Sequence, residues 1–176
     1  MFVLGVWYDF PMKGSGLLSR FLYENNGAGL MMKIAVAESC TGGLLSSFFT
    51  KDAGASEFFT LGITSYSNQA KHDVLGISKG LLDTQGAVSA AVAEQMAQKV
   101  RVLGAADVGL STTGIAGPDG GSNEKPVGTV FIAVSFEAKT VHRKLNLKGD
   151  RLDIQTQTVA EIIKLLNELM LEWDAE

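Results

Sequence analysis

Three apolar runs in this 176-residue chain, "MKIAVA", "EFFTLGITSYS" and "DVGLSTTG", each break off into a polar segment, residues 38–43, 64–71 and 111–128, the first and last of them glycine-bearing. A helix-like stretch follows the first two. Strand, helix and strand in succession require a crossover connection, so the early strands must pair in parallel. Later, "TVFIAVSF" places Val130, Ile132, Val134 and Phe136 on one face. "TVHRKLNL" follows after a tight connection, with His142, Lys144 and Asn146 on its wetter side. That is an antiparallel hairpin. The expected fold class is α/β: a three-layer α/β/α domain with a mixed, mostly parallel sheet and a C-terminal β-hairpin plus helix.

The helices complete this pattern. "GLLSRFLYENNG" groups Leu17, Leu18, Phe21 and Leu22 at helical spacing, and "TGGLLSSFFTKDAG" does so with Leu44, Leu45, Phe48 and Phe49. Two short pieces follow, "NQAKHDVLG" and "SKGLLDTQG". A longer helix, "SAAVAEQMAQKVRVLG", has Ser89 placed as its N-cap and Gly104 as its stop. Asp150 is positioned to cap a last helix whose Val159, Ile162, Ile163, Leu166, Leu169 and Met170 form one stripe.

Composition removes several function classes. The formal charge of −4 gives no reason to expect nucleic acid, whose binders usually carry a basic face. No run is long and apolar enough to suggest a membrane span. One cysteine, Cys40, excludes an internal disulfide and suits a cytoplasmic location. With only His72 and His142 to join it, a zinc site is not expected. "MFVLGVWYDFP" lacks the basic start of a signal peptide. Residues 1–12 therefore read as an N-terminal extension and 13–176 as a single domain. That apolar extension suits another subunit, in a homo-oligomer, as well as its own core.

In open α/β sheets, ligands gather beyond the carboxyl ends of the strands, where all three polar segments fall. In "AESCTGG", a helix starting near Thr41 would present its first amides as a cradle for negative oxygen, with Gly42 and Gly43 allowing close approach. Ser39 and Cys40 are both candidate nucleophiles there; a plain helix cap is the simpler reading. "TSYSNQAKHD" sets Tyr66 and Lys71 five residues apart. A lysine base must lose its proton near neutrality, which takes roughly 2–3 units of pKa depression by desolvation or a nearby cation. In "STTGIAGPDGGSNEKPVG", Thr112 and Thr113 can donate hydrogen bonds and Gly114 and Gly117 permit backbone contact, yet no phosphate-loop fingerprint is present. Arg151 opens the last helix, where a guanidinium suits a phosphate or carboxylate.

The segments "AESCTGGLL", "GITSYSNQAKHDVLGI", "GAVS", "STTGIAGPDGGSNEKPVGTV" and "KGDR", in this order, resemble the C-terminal domain of the CinA family from about Lys33 to the last helix. That family includes stand-alone nicotinamide-nucleotide amidases, which hydrolyse nicotinamide mononucleotide to nicotinic acid mononucleotide and ammonia. The chain looks like this stand-alone form, without the larger molybdopterin-binding-like domain. The resemblance implies Ser39 as nucleophile, Lys71 as general base, and Tyr66 as a proton relay or an orienter of Lys71. It implies Ser56 and Thr113 in the site lining and Arg151 on the substrate phosphate. Thr41, Gly42, Gly43 and Gly114 join them as substrate-binding positions. It implies Ser–Lys chemistry without metal or organic cofactor.

Two alternatives stay open. Cys40 could serve as nucleophile, although neither His lies in an evident partner position. The family also has members that have lost site residues, so a non-catalytic nucleotide-sensing or partner-binding domain is the reading from another class.

Overall fold

The computed structural model describes residues 32–173; the helix expected around 17–22 and the extension 1–12 lie outside them. The order is β1 (Ile34–Glu38), α1 (Leu44–Thr50), β2 (Phe59–Thr64), α2 (Asn68–Asp73), α3 (Lys79–Gln85), α4 (Ala90–Leu103), β3 (Val108–Gly114), β4 (Thr129–Ser135), β5 (Thr140–Asn146) and α5 (Arg151–Trp173). A single 3₁₀ turn, Ala55–Glu57, leads into β2.

The strands form one sheet in the order β2-β1-β3-β4-β5. β1 pairs in parallel with β2 and β3, while β4 pairs antiparallel with β3 and β5. β4 thus runs against the other four strands. This is the mixed sheet that strand–helix alternation followed by a hairpin predicts.

Side-chain size differs between the two faces of the sheet, and that difference decides how the helices pack. On one face Ile34, Val36, Val108, Leu110, Val130, Ile132 and Val134 meet Leu45, Phe48 and Phe49 of α1 and the apolar stripe of α5. Each of these large side chains contributes roughly 1.5–3 kcal/mol on full burial. The opposite face presents Ala35, Ala37, Gly109, Ser111 and Ala133 in the same strands, so α4 settles close to the sheet. Ala93 and Ala97 of α4 pack on Ala133, and the Ser111 hydroxyl donates to the Ala93 carbonyl at 2.6 Å. Leu75, Ile77 and Leu82, from α3 and the turn before it, complete that layer.

Caps fix the helix starts. Ser67, Ser78 and Ser89 each accept a backbone N–H at the first turn of α2, α3 and α4. Asp150 and Asp153 exchange backbone-to-carboxylate hydrogen bonds at 2.9 Å before α5, a reciprocal cap that also sets where Arg151 emerges. α1 departs from expectation. It begins at Leu44 rather than near Thr41, and neither Ser39 nor Thr41 caps it as an N-cap residue, since that position belongs to Gly43 with no side-chain cap of its own.

Gly109 is where the close approach of α4 is most exacting. A β-carbon there would overlap the Ala97 carbonyl oxygen and lie 2.7 Å from Arg101 Cβ. Gly109→Ala should therefore lower unfolding free energy by about 1–3 kcal/mol through overpacking, read as a shift in urea midpoint. An unchanged midpoint would mean that α4 can lift off the sheet at no cost.

Candidate active site

The carboxyl ends of β1 and β2 finish side by side, with Glu38 opposite Thr64. One residue further, the Ser65 amide donates to the Glu38 carbonyl at 2.8 Å, so Ser39 and Ser65 leave the sheet as neighbours. The chain then turns into α2, which carries Lys71 back beneath the same strand ends. Its ammonium nitrogen lies 2.8 Å from Ser39 Oγ and 2.7 Å from the Ser65 carbonyl oxygen. Two residues 32 positions apart are thus joined by adjacent parallel strands and one short helix.

Lys71 is 1% exposed, a fully enclosed lysine. It has no carboxylate salt-bridge partner among the described residues. Burial pushes its pKa down from 10.5 to about 8, with the neighbouring Cys40 opposing slightly. A neutral amine has two N–H bonds and one lone pair. With one N–H directed at the Ser65 carbonyl, the lone pair is free to face the Ser39 hydroxyl. Ser39 itself is 8% exposed, so the strand ends open only narrowly to solvent at its side chain.

Cys40 differs sharply from its neighbour. It is buried, and desolvation pushes its thiol up to about 12, so the reactive thiolate is scarce at neutral pH. The alternative of Cys40 as nucleophile loses its physical basis.

The remaining expected residues divide into three groups. Arg151 and Tyr66 meet at the mouth: Arg151 Nη2 donates to the Tyr66 hydroxyl at 2.7 Å and Nη1 to the Gly117 carbonyl at 2.8 Å. Tyr66 is 59% exposed, and its hydroxyl serves Arg151 rather than Lys71. The group that orients Lys71 is the Ser65 carbonyl, one residue earlier. One turn along α5 from Arg151, Gln155 Nε2 donates to the Cys40 carbonyl at 2.8 Å, so α5 grips both sides of the opening.

A second group is present but turned inward. Thr41 is buried; its hydroxyl donates to Glu38 Oε2 at 2.7 Å and so receives the hydrogen of Thr112 Oγ1, also at 2.7 Å. Thr113 donates to the Ala87 carbonyl at 2.8 Å, and Gly114 stands tight against Val130 of β4. Gly42 and Gly43 both adopt left-handed backbone, φ 62° and 108°, a conformation only glycine takes without strain. Their amides are engaged, Gly42 N–H with the Ser39 carbonyl and Gly43 N–H with Glu38. The cradle expected from Thr41 to Gly43 is therefore reduced to the Thr41 amide, which has no partner among the described residues, while the Cys40 amide is engaged with its own sulfur.

Ser56 is the one expected lining residue that the fold carries away. It lies in the 3₁₀ turn before Phe59, where β2 begins, whereas Ser39 and Lys71 sit where β1 and β2 end. The full length of β2 separates them, and Ser56 does not line this opening within the chain. Glu38 is the residue that sequence reasoning passed over: a wholly buried carboxylate at the end of β1, in contact with the loop that presents Ser39. Its legible signal was an acidic residue ending an otherwise apolar strand. No cluster of three or more His, Cys, Asp or Glu suited to a metal ion occurs among the described residues, and no helix there is long and apolar enough to cross a membrane.

Comparison with known proteins supplies the family. The model of the CinA C-terminal domain matches residues 24–170, and the chain belongs to that family. It is 49% identical over 140 residues to a Thermoanaerobacter pseudethanolicus protein named as competence-damage inducible, which covers 80% of this chain and 34% of that one. It is 46% identical over 140 residues, with the same coverage, to a CinA-like protein of Geobacter metallireducens. The chain spans about a third of the length of these curated relatives. Among solved structures, the competence/damage inducible protein CihA of Agrobacterium tumefaciens superposes with a TM-score of 0.80 at 36% identity, covering 88% of this chain and 93% of that one.

The depressed pKa of Lys71 has a consequence for stability. Between pH 8 and 10.5 the unfolded chain binds the Lys71 proton and the folded chain does not, so this group makes stability rise with pH. Measured against Lys71→Met by urea unfolding, the wild-type protein should gain about 2–3 kcal/mol between pH 7 and pH 10. A difference that stays flat across that range would show that the folded lysine keeps an ordinary pKa.

Proposed function

We propose that this domain is a nicotinamide-nucleotide amidohydrolase, converting nicotinamide mononucleotide to nicotinic acid mononucleotide and ammonia. The observation that carries the reading is the fully buried Lys71 amine, its pKa near 8, 2.8 Å from the Ser39 hydroxyl. A structural lysine is rarely enclosed without an acidic partner, whereas a general base is tuned in this way. The substrate follows from the family resemblance of the motifs around these two residues, together with Arg151 at the mouth.

The reaction proceeds in two halves. Neutral Lys71 takes the Ser39 proton as Oγ bonds to the carboxamide carbon, forming a tetrahedral oxyanion. The amide of Thr41 is available as a donor for that oxygen; a single such donor contributes about 3–4 kcal/mol in comparable sites. Protonated Lys71 returns the proton to the departing nitrogen, the C–N bond breaks, and ammonia leaves. Water then loses a proton to Lys71, attacks the acyl-serine, and releases the acid as Ser39 regains its hydrogen. Arg151 binds the substrate phosphate in this scheme, exchanging its Tyr66 and Gly117 bonds for charge-assisted ones. The positive pyridinium ring, held near Lys71, favours the uncharged amine and makes the carbonyl more electrophilic.

Incubation of the purified protein with nicotinamide mononucleotide should release ammonia, and Ser39→Ala should reduce the rate by roughly 10⁴-fold or more while substrate still binds. Undiminished turnover in that variant removes Ser39 from its role. Binding without ammonia from the wild-type protein supports the nucleotide-sensing alternative instead.

The pH dependence of kcat/KM tests the base. It should rise tenfold per unit up to about pH 8 and level off above, because the productive form is the deprotonated amine. A limb centred near pH 10 would assign the base role elsewhere.

A further inference from the structure

We infer that Glu38 is the positioning residue of the Ser39–Lys71 pair. This inference rests on the amidase reading and deepens it. Glu38 touches neither reacting atom. Its side chain instead holds the loop 39–46 by five hydrogen bonds. Oε1 accepts from the Ser46 amide at 2.8 Å and from the Ser46 hydroxyl at 2.6 Å. Oε2 accepts from the Thr41 hydroxyl at 2.7 Å, and from the Gly43 and Leu45 amides at 3.0 Å each.

Three features make this more than a helix cap. First, the bonds span both flanks of the left-handed Gly42–Gly43 turn, so they fix the path of the chain from Ser39 into α1. Second, the carboxylate occupies the amides of Gly43, Leu45 and Ser46. The start of α1 is thereby closed to an anion, and the Thr41 amide close to Ser39 is left to meet the substrate. Third, the main chain of the same residue holds the other half of the pair. The Glu38 carbonyl accepts the Ser65 amide at 2.8 Å, and the Ser65 carbonyl accepts Lys71 Nζ at 2.7 Å. One residue therefore sets the position of the nucleophile through its side chain and of the base through its backbone.

The chemistry of the partners explains the choice of a carboxylate. All five groups donate, and an ionised carboxylate is acceptor-only, with lone pairs enough for all of them. A glutamine has the same size, but its NH₂ must face at least one of these donors whichever way it is turned. Toward the Oε1 side it meets the Ser46 N–H; toward the Oε2 side it meets the amides of Gly43 and Leu45. The loop would have to shift, and a nucleophile displaced by an ångström loses on the order of 10²-fold in rate.

The test uses the full chain and two readouts. Glu38→Gln should lower kcat for nicotinamide mononucleotide by about 10²-fold, with KM within a few-fold of wild type and the pH midpoint near 8 retained, since the surroundings of Lys71 persist. Ser46→Ala, which removes one of the five bonds at a half-buried position, should give a smaller fall in the same direction and guards against misfolding of the first variant. Independently of the substrate, an alkyl fluorophosphonate probe should label Ser39, slowly in Lys71→Ala and slowly in Glu38→Gln. Folded Glu38→Gln and Ser46→Ala proteins with wild-type kcat and labelling rate would overturn the inference. So would a midpoint shifted by a full unit, which would make Glu38 a charge acting on Lys71 rather than a positioner. If wild type labels at Ser39 but releases no ammonia, the substrate assignment fails while the labelling comparison still decides the role of Glu38. If wild type neither labels nor turns over, the amidase reading and this inference fall together.

Discussion

The last rung of the β1–β2 ladder, Glu38 opposite Thr64, is the constraint from which the rest of the site follows. Parallel strands that end in register deliver their next residues to the same place, and here those residues are two serines with different tasks. Ser39 offers a hydroxyl; Ser65 offers a carbonyl. The short α2 helix, capped at Ser67, then needs little more than one turn to bring Lys71 under both. None of this geometry depends on the long glycine-rich loop. The pairing of two strands and the start of one helix suffice.

The asymmetric sheet serves the same end. Large β-branched and leucine side chains on one face anchor α1 and α5, and small residues on the other let α4 come close. The α5 helix is held along most of its length by its apolar stripe, so its first turns stand firm at the crevice. Gln155 secures the Cys40 carbonyl and Arg151 reaches Tyr66 from there. Rigidity at the rim is thus borrowed from hydrophobic burial elsewhere in the helix, the usual means by which a polar site is kept in place without a core of its own.

Much of this was legible in the sequence because it depends on periodicity and chain direction. Alternating apolar patterns, serine caps and glycine stops located the strands and helices; the rule that ligands gather at strand carboxyl ends pointed to the segments carrying Ser39 and Lys71, and Arg151 stood out as the residue opening the last helix. What escaped was competition among hydrogen-bond donors. Nothing local in "AESCTGG" says that Glu38 will capture the amides meant for an oxyanion, that Thr41 will turn inward to it, or that α1 will consequently start at Leu44. In the same way Tyr66 was readable as a hydroxyl near a lysine, but not as the partner of a guanidinium 85 residues later. Ser56 was placed by resemblance alone, and strand polarity puts it at the far end of β2.

The thiol beside Ser39 has a chemical consequence of its own. With its pKa near 12, Cys40 at neutral pH is ionised in only about one molecule in 10⁵. Peroxides and disulfides react with the ionised sulfur, so this position is slow to form sulfenic acid or mixed disulfides. A sulfur one residue from the Ser39 hydroxyl thus becomes redox-silent packing.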